Sequence, residues 1–150
     1  MDEVVGLWVE SWNATMPEID FSARGGWLRE RLAAHQAAGV AVVCAVDATD
    51  GPLGFVTVDP DGGHIDQLAV RWRCFGTGVG TALIASARNV SPISLKLEVN
   101  QENPRAVRFY GREGFVITGA GTVGMTRRPT WLMQWRNARH APPSSALTEV

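Results

Sequence analysis

The chain has 150 residues, the length of one ordinary domain with room for a hydrophobic core. Hydrophobic residues make up 45% of it and charged residues 19%, which excludes disorder throughout, and a formal charge of −1 gives no bulk field for nucleic acid or an anionic membrane. No apolar run approaches the roughly 20 residues of a bilayer span, and the acidic start, Asp2 and Glu3, lacks the positive charge of a secretory leader, so the expected location is cytoplasmic.

Val4, Val5, Trp8, Val9 and Trp12 recur at helical spacing and predict a first helix over residues 2–14. Pro17 and mixed polar residues make 13–20 a connection. Ser22 is a candidate cap for a second helix running to about Ala38, with Gly39 placed to end it. The valine-rich run Val40–Val46 reads as a buried strand, with Cys44 as a small buried hydrophobe. Asp50-Gly51 signals a hairpin into Leu53–Val58, and the turn 59–63 leads to a third strand, His64–Val70. These three strands form an antiparallel meander. Cys44 and Cys74 are the only cysteines and make no disulfide framework.

Beyond the meander the pattern changes. Arg71–Thr77 is irregular, and Val79–Arg88 reads as a helix with Leu83, Ile84 and Ala87 on its apolar side. Ile93–Val99 alternates as a strand. Asn103 caps a helix that has Pro104 at its first position and runs to about Arg112, where Gly114 ends it. Phe115–Thr118 begins another strand, Gly119, Gly121 and Gly124 mark a turn, and a last strand lies near Thr126–Trp135. From Asn137 the composition shifts to Ala, Pro, Ser and Thr, so the expectation is one domain over 1–136 and a flexible tail over 137–150.

Chemistry concentrates at Phe75-Gly76-Thr77-Gly78-Val79-Gly80-Thr81, between the third strand and the third helix. Alternate glycines let main-chain N–H groups converge, and at a helix start those groups and the positive dipole end bind phosphate. The dinucleotide pattern G-x-G-x-x-G fails from either Gly76 or Gly78, because its third glycine falls on Thr81 or Leu83. The P-loop pattern fails for want of a lysine. A turn without a ligand is the bland alternative.

The order Ile65-Asp66-Gln67-Leu68-Ala69-Val70, glycine loop, helix, Leu95–Val99, Asn103-Pro104-Arg105-Ala106-Val107-Arg108-Phe109-Tyr110 and Glu113-Gly114-Phe115 resembles the GNAT superfamily of N-acetyltransferases. The resemblance covers about 40–135. It implies an α/β fold with a mixed, largely antiparallel sheet flanked by helices, here lacking the usual first strand, with a homodimer as one way to cover the open edge. It implies acetyl-coenzyme A as co-substrate, with no metal. Its diphosphate falls to Phe75, Gly76, Thr77, Gly78, Val79, Gly80 and Thr81, and its pantetheine arm to Leu68, Ala69 and Val70. Asn103 contacts the arm, and Ala106, Phe109 and Tyr110 complete the site. The family carries Gln or Arg where this chain has Phe75, and Arg73 is the candidate to replace that contact.

Transfer from a thioester to an amine needs a neutral amine, a stabilised oxyanion and a proton for the thiolate. Tyr110, the only tyrosine, is the candidate acid; packing beside Phe109 is its alternative role. For a base, His64 and Asp66 share a face of the third strand while Gln67 points the other way, although a solvated His64 and a structurally bonded Asp66 are equally ordinary. No Cys/His cluster has metal-ligand spacing, and His35 and His140 read as structural or solvated. The acceptor, a small-molecule or peptide amine, points to Trp8, Trp12, Met16, Glu18, Asp20 and Trp27, and to Trp131, Met133 and Trp135, against a reading in which the tryptophans fill the core. Arg127-Arg128 reads as a solvated turn. The expected activity is direct acetyl transfer to a primary amine; the alternative is a non-catalytic acyl-CoA-binding or sensing module.

Overall fold

The computed structural model describes residues 1–17, 19–49, 51–123 and 128–140. Two helices come first, α1 (Asp2–Thr15) and α2 (Gly25–Ala37), followed by the meander β1 (Ala41–Asp47), β2 (Gly51–Val58) and β3 (Ile65–Val70). Then come α3 (Val79–Val90), β4 (Ser94–Asn100), α4 (Pro104–Arg112), β5 (Val116–Val123) and β6 (Arg128–Arg136). The expected α/β architecture is present, but as two antiparallel three-stranded sheets, ordered β1-β2-β3 and β4-β6-β5.

A single parallel bridge, His64 to Lys96, joins the two sheets. There Lys96 N–H donates to the Gly63 carbonyl at 3.0 Å. Gly63 has φ +75°, and a Cβ on it would lie 2.0 Å from the Ser94 carbonyl oxygen. Only glycine fits this junction. Past it β3 and β4 separate, opening a cleft at the carboxyl ends of two parallel strands.

Two cores flank the first sheet. Val56, Val58, Ile65, Leu83, Ile84 and Leu95 belong to one, beneath α3 and the second sheet. Leu7, Trp8, Leu28, Leu32 and Phe55 belong to the other, beneath α1 and α2. β2 alternates between them, as a strand buried on both faces must. β3 does not alternate throughout. Val56 pairs with Leu68 and Val58 with Ile65, so β3 carries one extra residue opposite Thr57. The Thr57 hydroxyl accepts the amides of both Asp66 (3.3 Å) and Gln67 (2.9 Å). This bulge turns Asp66 and Gln67 to the same side, toward α1 and α2. The expectation that Gln67 points away from Asp66 is therefore corrected.

Other expectations also shift. Cys44 is exposed on β1, the outer strand of its sheet, because the second core takes in Val42 but neither Cys44 nor Val46 further along the strand. Gly119 and Gly121 lie within β5 and form no turn; a Cβ on either would come within 3.3 Å of Leu132 or Thr130 on β6. Gly124, Thr126, Arg127, Glu18, Asp50 and 141–150 lie outside the described residues. Arg128, read as part of a solvated turn, opens β6 and pairs with Glu102 at 2.6 Å. α2 starts after a short 3-10 turn, Ser22–Arg24, whose Ser22 amide is held by the Asp20 carboxylate at 2.9 Å. In the segment read as a tail, Ala138–His140 forms a 3-10 turn, and the Asn137 amide donates to the Ile93 carbonyl at 2.9 Å.

The junction yields a contrast. Gly63→Ala should cost on the order of 3 kcal/mol, lowering Tm by roughly 10 °C, because backbone strain and a main-chain collision add. Gly62→Ala, at φ +97° with open space around it, should cost only about 1 kcal/mol. Calorimetry of the two variants checks the difference.

Candidate active site

The cleft contains two cavities in communication. One, of about 400 Å³, runs along the end of β3, the glycine loop and one side of α4. Of the residues assigned to coenzyme A, Leu68, Ala69, Val70, Phe75, Gly76, Gly78, Gly80, Thr81, Asn103, Ala106, Phe109 and Tyr110 line it; Arg73, Thr77 and Val79 do not. The second, of about 770 Å³, lies between α1, α2, the bulge and β4, and takes in His64 and Asp66. Trp12, Leu68, Asn103, Ala106 and Tyr110 line both and mark the passage between them.

The loop has the conformation that phosphate binding needs. Gly76 (φ +79°) and Gly78 (φ +95°) are left-handed, and a Cβ on either would meet nothing within 4 Å. Gly78 precedes α3 without a side-chain cap, and the first turn has no acid to offset the dipole. The amides of Phe75 and Thr77 are used by the carbonyls of Trp72 and Cys74. Those of Gly76, Gly78, Val79, Gly80 and Thr81 donate no hydrogen bond to the described residues. Five main-chain donors therefore remain at a positive helix end. Gly80 serves packing, since its Cβ would sit 3.0 Å from the Phe109 ring. Arg105 lines the same cavity, with its guanidinium 4.0 Å from the centre of the Phe75 ring.

Hydrogen-bond alternation sets the edge of β3. Arg71 N–H donates to the Leu53 carbonyl at 2.8 Å, which makes 53/71 and then 55/69 the bonded pairs. Leu68 and Val70 turn their N–H and C=O groups the other way, toward the gap that β4 has vacated. An extended arm lying there meets the equivalent of an unpaired strand.

Asn103 caps α4 through its Oδ1, which accepts the Ala106 amide at 3.2 Å. That start orients α4 so that Tyr110 is 8% exposed and wedged edge-on between Phe109 and Phe115. Its hydroxyl has no hydrogen-bond partner among the described residues, and burial pushes the phenol well above its ordinary pKa. Tyr110 is thus a neutral donor held at the passage.

Asp66 is heavily engaged. Arg31 binds it twice, Nε to Oδ2 at 2.6 Å and Nη2 to Oδ1 at 2.7 Å, and His35 Nε2 lies 2.9 Å from Oδ2. Burial works against its ionisation, but the Arg31 and His35 hydrogen bonds outweigh it and hold the carboxyl down at about 2. A carboxylate so stabilised is a weak proton acceptor at neutral pH. Another carboxylate, Glu98 on β4, also lines the second cavity, and its Oε2 accepts the Thr130 hydroxyl at 2.6 Å. Gly121 leaves room for this pair: its Cβ would lie 3.4 Å from Glu98 Oε2. In the sequence Glu98 has no signal beyond being a polar residue of an alternating strand. Only the divergence of β3 exposes that strand to a cavity.

Of the acceptor candidates, Trp8, Trp12, Met16 and Trp27 line the second cavity. Met133 instead lies in the core shared by α3, α4 and the second sheet, with Trp131 and Trp135 half-buried against it, and Asp20 holds the turn before α2. No group of three His, Cys, Asp or Glu among the described residues could hold a metal ion, and no described helix is long and apolar enough to cross a membrane.

Comparison with known proteins gives a consistent picture. The chain is 33% identical over 128 residues to the peptidyl-lysine N-acetyltransferase YjaB of Escherichia coli, covering 85% of this chain and 84% of that one. It is 29% identical over 128 residues to the Salmonella typhimurium protein of the same name, covering 85% of each. The solution structure of apo YjaB from Escherichia coli superposes with a TM-score of 0.70 at 28% identity, covering 91% of both chains. The fold is shared with the PaiA N-acetyltransferase of Thermoplasma acidophilum in complex with coenzyme A, at a TM-score of 0.70 and 17% identity over 91% of this chain and 92% of that one. The acetyltransferase (GNAT) domain model matches residues 26–125, and with the glycine loop, the divergent strands and Tyr110 in place this chain belongs to the GNAT family of acetyltransferases.

Proposed function

We propose that the chain transfers an acetyl group from acetyl-coenzyme A to the ε-amino group of a lysine in a peptide or protein, by direct attack in a ternary complex. The observation that carries this reading is the joining of two cavities at Tyr110, one with unbonded main-chain donors and the other with aromatic walls and a carboxylate. The lysine acceptor is supported by the names of the YjaB relatives.

In this reading the diphosphate rests on the amides at 76 and 78–81, with Arg105 beside it. The pantetheine arm runs along Leu68 and Val70, and an N–H of that edge polarises the acetyl carbonyl. Glu98 takes a proton from the incoming ammonium. The amine nitrogen then forms its bond to the carbonyl carbon, and the carbon–sulfur bond breaks with its electron pair going to sulfur. The Tyr110 hydroxyl hydrogen-bonds that thiolate, and the second proton of the former amine passes to the sulfur, leaving the amide and the thiol. Because burial raises the phenol further above a thiol of pKa about 8.5, Tyr110 acts mainly by hydrogen-bonding the thiolate and less by complete transfer. Neither cysteine is needed as a nucleophile: Cys44 is remote from both cavities, and Cys74 lies at the phosphate end.

The direct test is thiol release from acetyl-coenzyme A with lysine peptides and, in parallel, with small amines. Binding of the co-substrate without thiol release would favour the sensing module. Tyr110→Phe should lower kcat by roughly 10- to 100-fold, the worth of one hydrogen bond to a charged atom, with KM for acetyl-coenzyme A little changed; unaltered turnover removes this role. Gly78→Ala should raise that KM about tenfold through strain at φ +95°, while the acceptor KM stays level, as steady-state kinetics would show. Glu98→Gln should depress kcat/KM for the acceptor most at neutral pH. The deficit should shrink as pH rises toward the lysine pKa of about 10.4, where the amine arrives already neutral, and a pH–rate profile checks the sign.

A further inference from the structure

Five residues around the acceptor cavity close into a ring of contacts. Trp8 Nε1–H donates to Gln67 Oε1 at 3.0 Å, and Gln67 Nε2 reaches Asp66 Oδ2 at 3.4 Å. Asp66 binds Arg31 through both oxygens. The Arg31 guanidinium lies 5.2 Å above the centre of the Trp27 ring, and Trp27 returns to Trp8 with ring centres 6.0 Å apart. All five line the second cavity. The ring spans α1, α2 and β3, and it exists because the bulge turns two consecutive residues, Asp66 and Gln67, to one side.

Asp66 is the hub. Its Oδ2 receives Arg31 Nε, His35 and Gln67, and its Oδ1 receives Arg31 Nη2, so the carboxylate is engaged mainly within the protein. The carboxylate faces cations and donors only, from α2 and from its own strand. Without it the Arg31 guanidinium loses its carboxylate partner beside Trp27, a ring that is 47% exposed. Asp66 and Gln67 also immediately precede Leu68, whose N–H faces the passage, so the same residues fix the acceptor wall and the start of the strand edge.

We propose that Asp66 is a positioning residue for the acceptor: it aligns the wall formed by Trp8, Trp27 and Arg31 with the passage at Leu68, and so sets acceptor affinity without touching the reacting atoms. The inference rests on the acetyl-transfer reading, with the second cavity as the acceptor site. Arg31 and Trp27 then determine specificity, and Asp66 acts through them.

The test compares Asp66→Asn, Asp66→Glu and His35→Phe with the unaltered chain in the thiol-release assay with lysine peptides, alongside hydrogen exchange of residues 25–37. Asp66→Asn should raise the acceptor KM about tenfold, leave kcat within about threefold and KM for acetyl-coenzyme A within about twofold, and speed exchange in α2. Asp66→Glu, which keeps a carboxylate for Arg31, should recover most of the acceptor KM. His35 lines neither cavity, so a rise of about threefold in acceptor KM for His35→Phe would reach the acceptor only through Asp66. If Asp66→Asn does not fold, His35→Phe decides the matter. An unchanged acceptor KM overturns the proposal, as does a uniform loss in both KM values and kcat that Asp66→Glu fails to rescue. If the unaltered chain releases no thiol with any amine, the transfer reading fails and the proposal falls with it; release by the unaltered chain with an unchanged acceptor KM in Asp66→Asn removes the positioning role alone.

Discussion

The separation of β3 from β4 is the constraint on which the site depends. Two parallel strands that stayed paired would consume each other's N–H and C=O groups and leave no edge for a substrate arm. Here they meet at one bridge, where Lys96 bonds to Gly63, and then part. Main-chain polar groups left open inside a protein are costly unless water or a ligand satisfies them. The fold keeps Leu68 and Val70 in that condition at the passage between two cavities.

Holding the strands apart requires packing on both sides. Tyr110, Phe115 and Leu97 join α3 and the second sheet in one core, while α1 and α2 close the other face over Phe55 and Ala69. Each core supplies one wall of the cleft. The co-substrate wall is mostly main chain and glycine, which suits a ligand carrying its own charge. The wall of the second cavity is aromatic and carries held polar groups: Arg31 with Asp66, Arg128 with Glu102, and Glu98 with the Thr130 hydroxyl. Pairing fixes side chains that would otherwise be mobile and lowers the cost of their partial burial.

Two carboxylates at one cavity, Asp66 and Glu98, have different environments. Asp66 is surrounded by donors that favour its charged form and make it a poor base. Glu98 has one neutral donor and remains open to the cavity. A similar division applies to arginines: Arg31 is committed within the acceptor ring, and Arg105 rides on Phe75 with its charge toward the co-substrate cavity.

Much of this was legible in the chain. The order of helices and strands followed from apolar spacing and from Gly39, Asn103, Pro104 and Gly114, because those signals are local and act through the backbone of the residues that carry them. The glycine turn ahead of α3 was legible for the same reason, since alternate glycines ahead of a helix specify its geometry almost unaided. Tertiary structure alone decided the rest. The bulge that sends Asp66 and Gln67 to one side depends on the Thr57 hydroxyl across the sheet. The exposure of Cys44 depends on how far α2 reaches, the partial burial of Trp131 and Trp135 on which face of β6 meets the core, and the relevance of Glu98 on where β3 leaves β4. Each is set by contacts between residues distant along the chain, to which no run of neighbouring residues carries a signal.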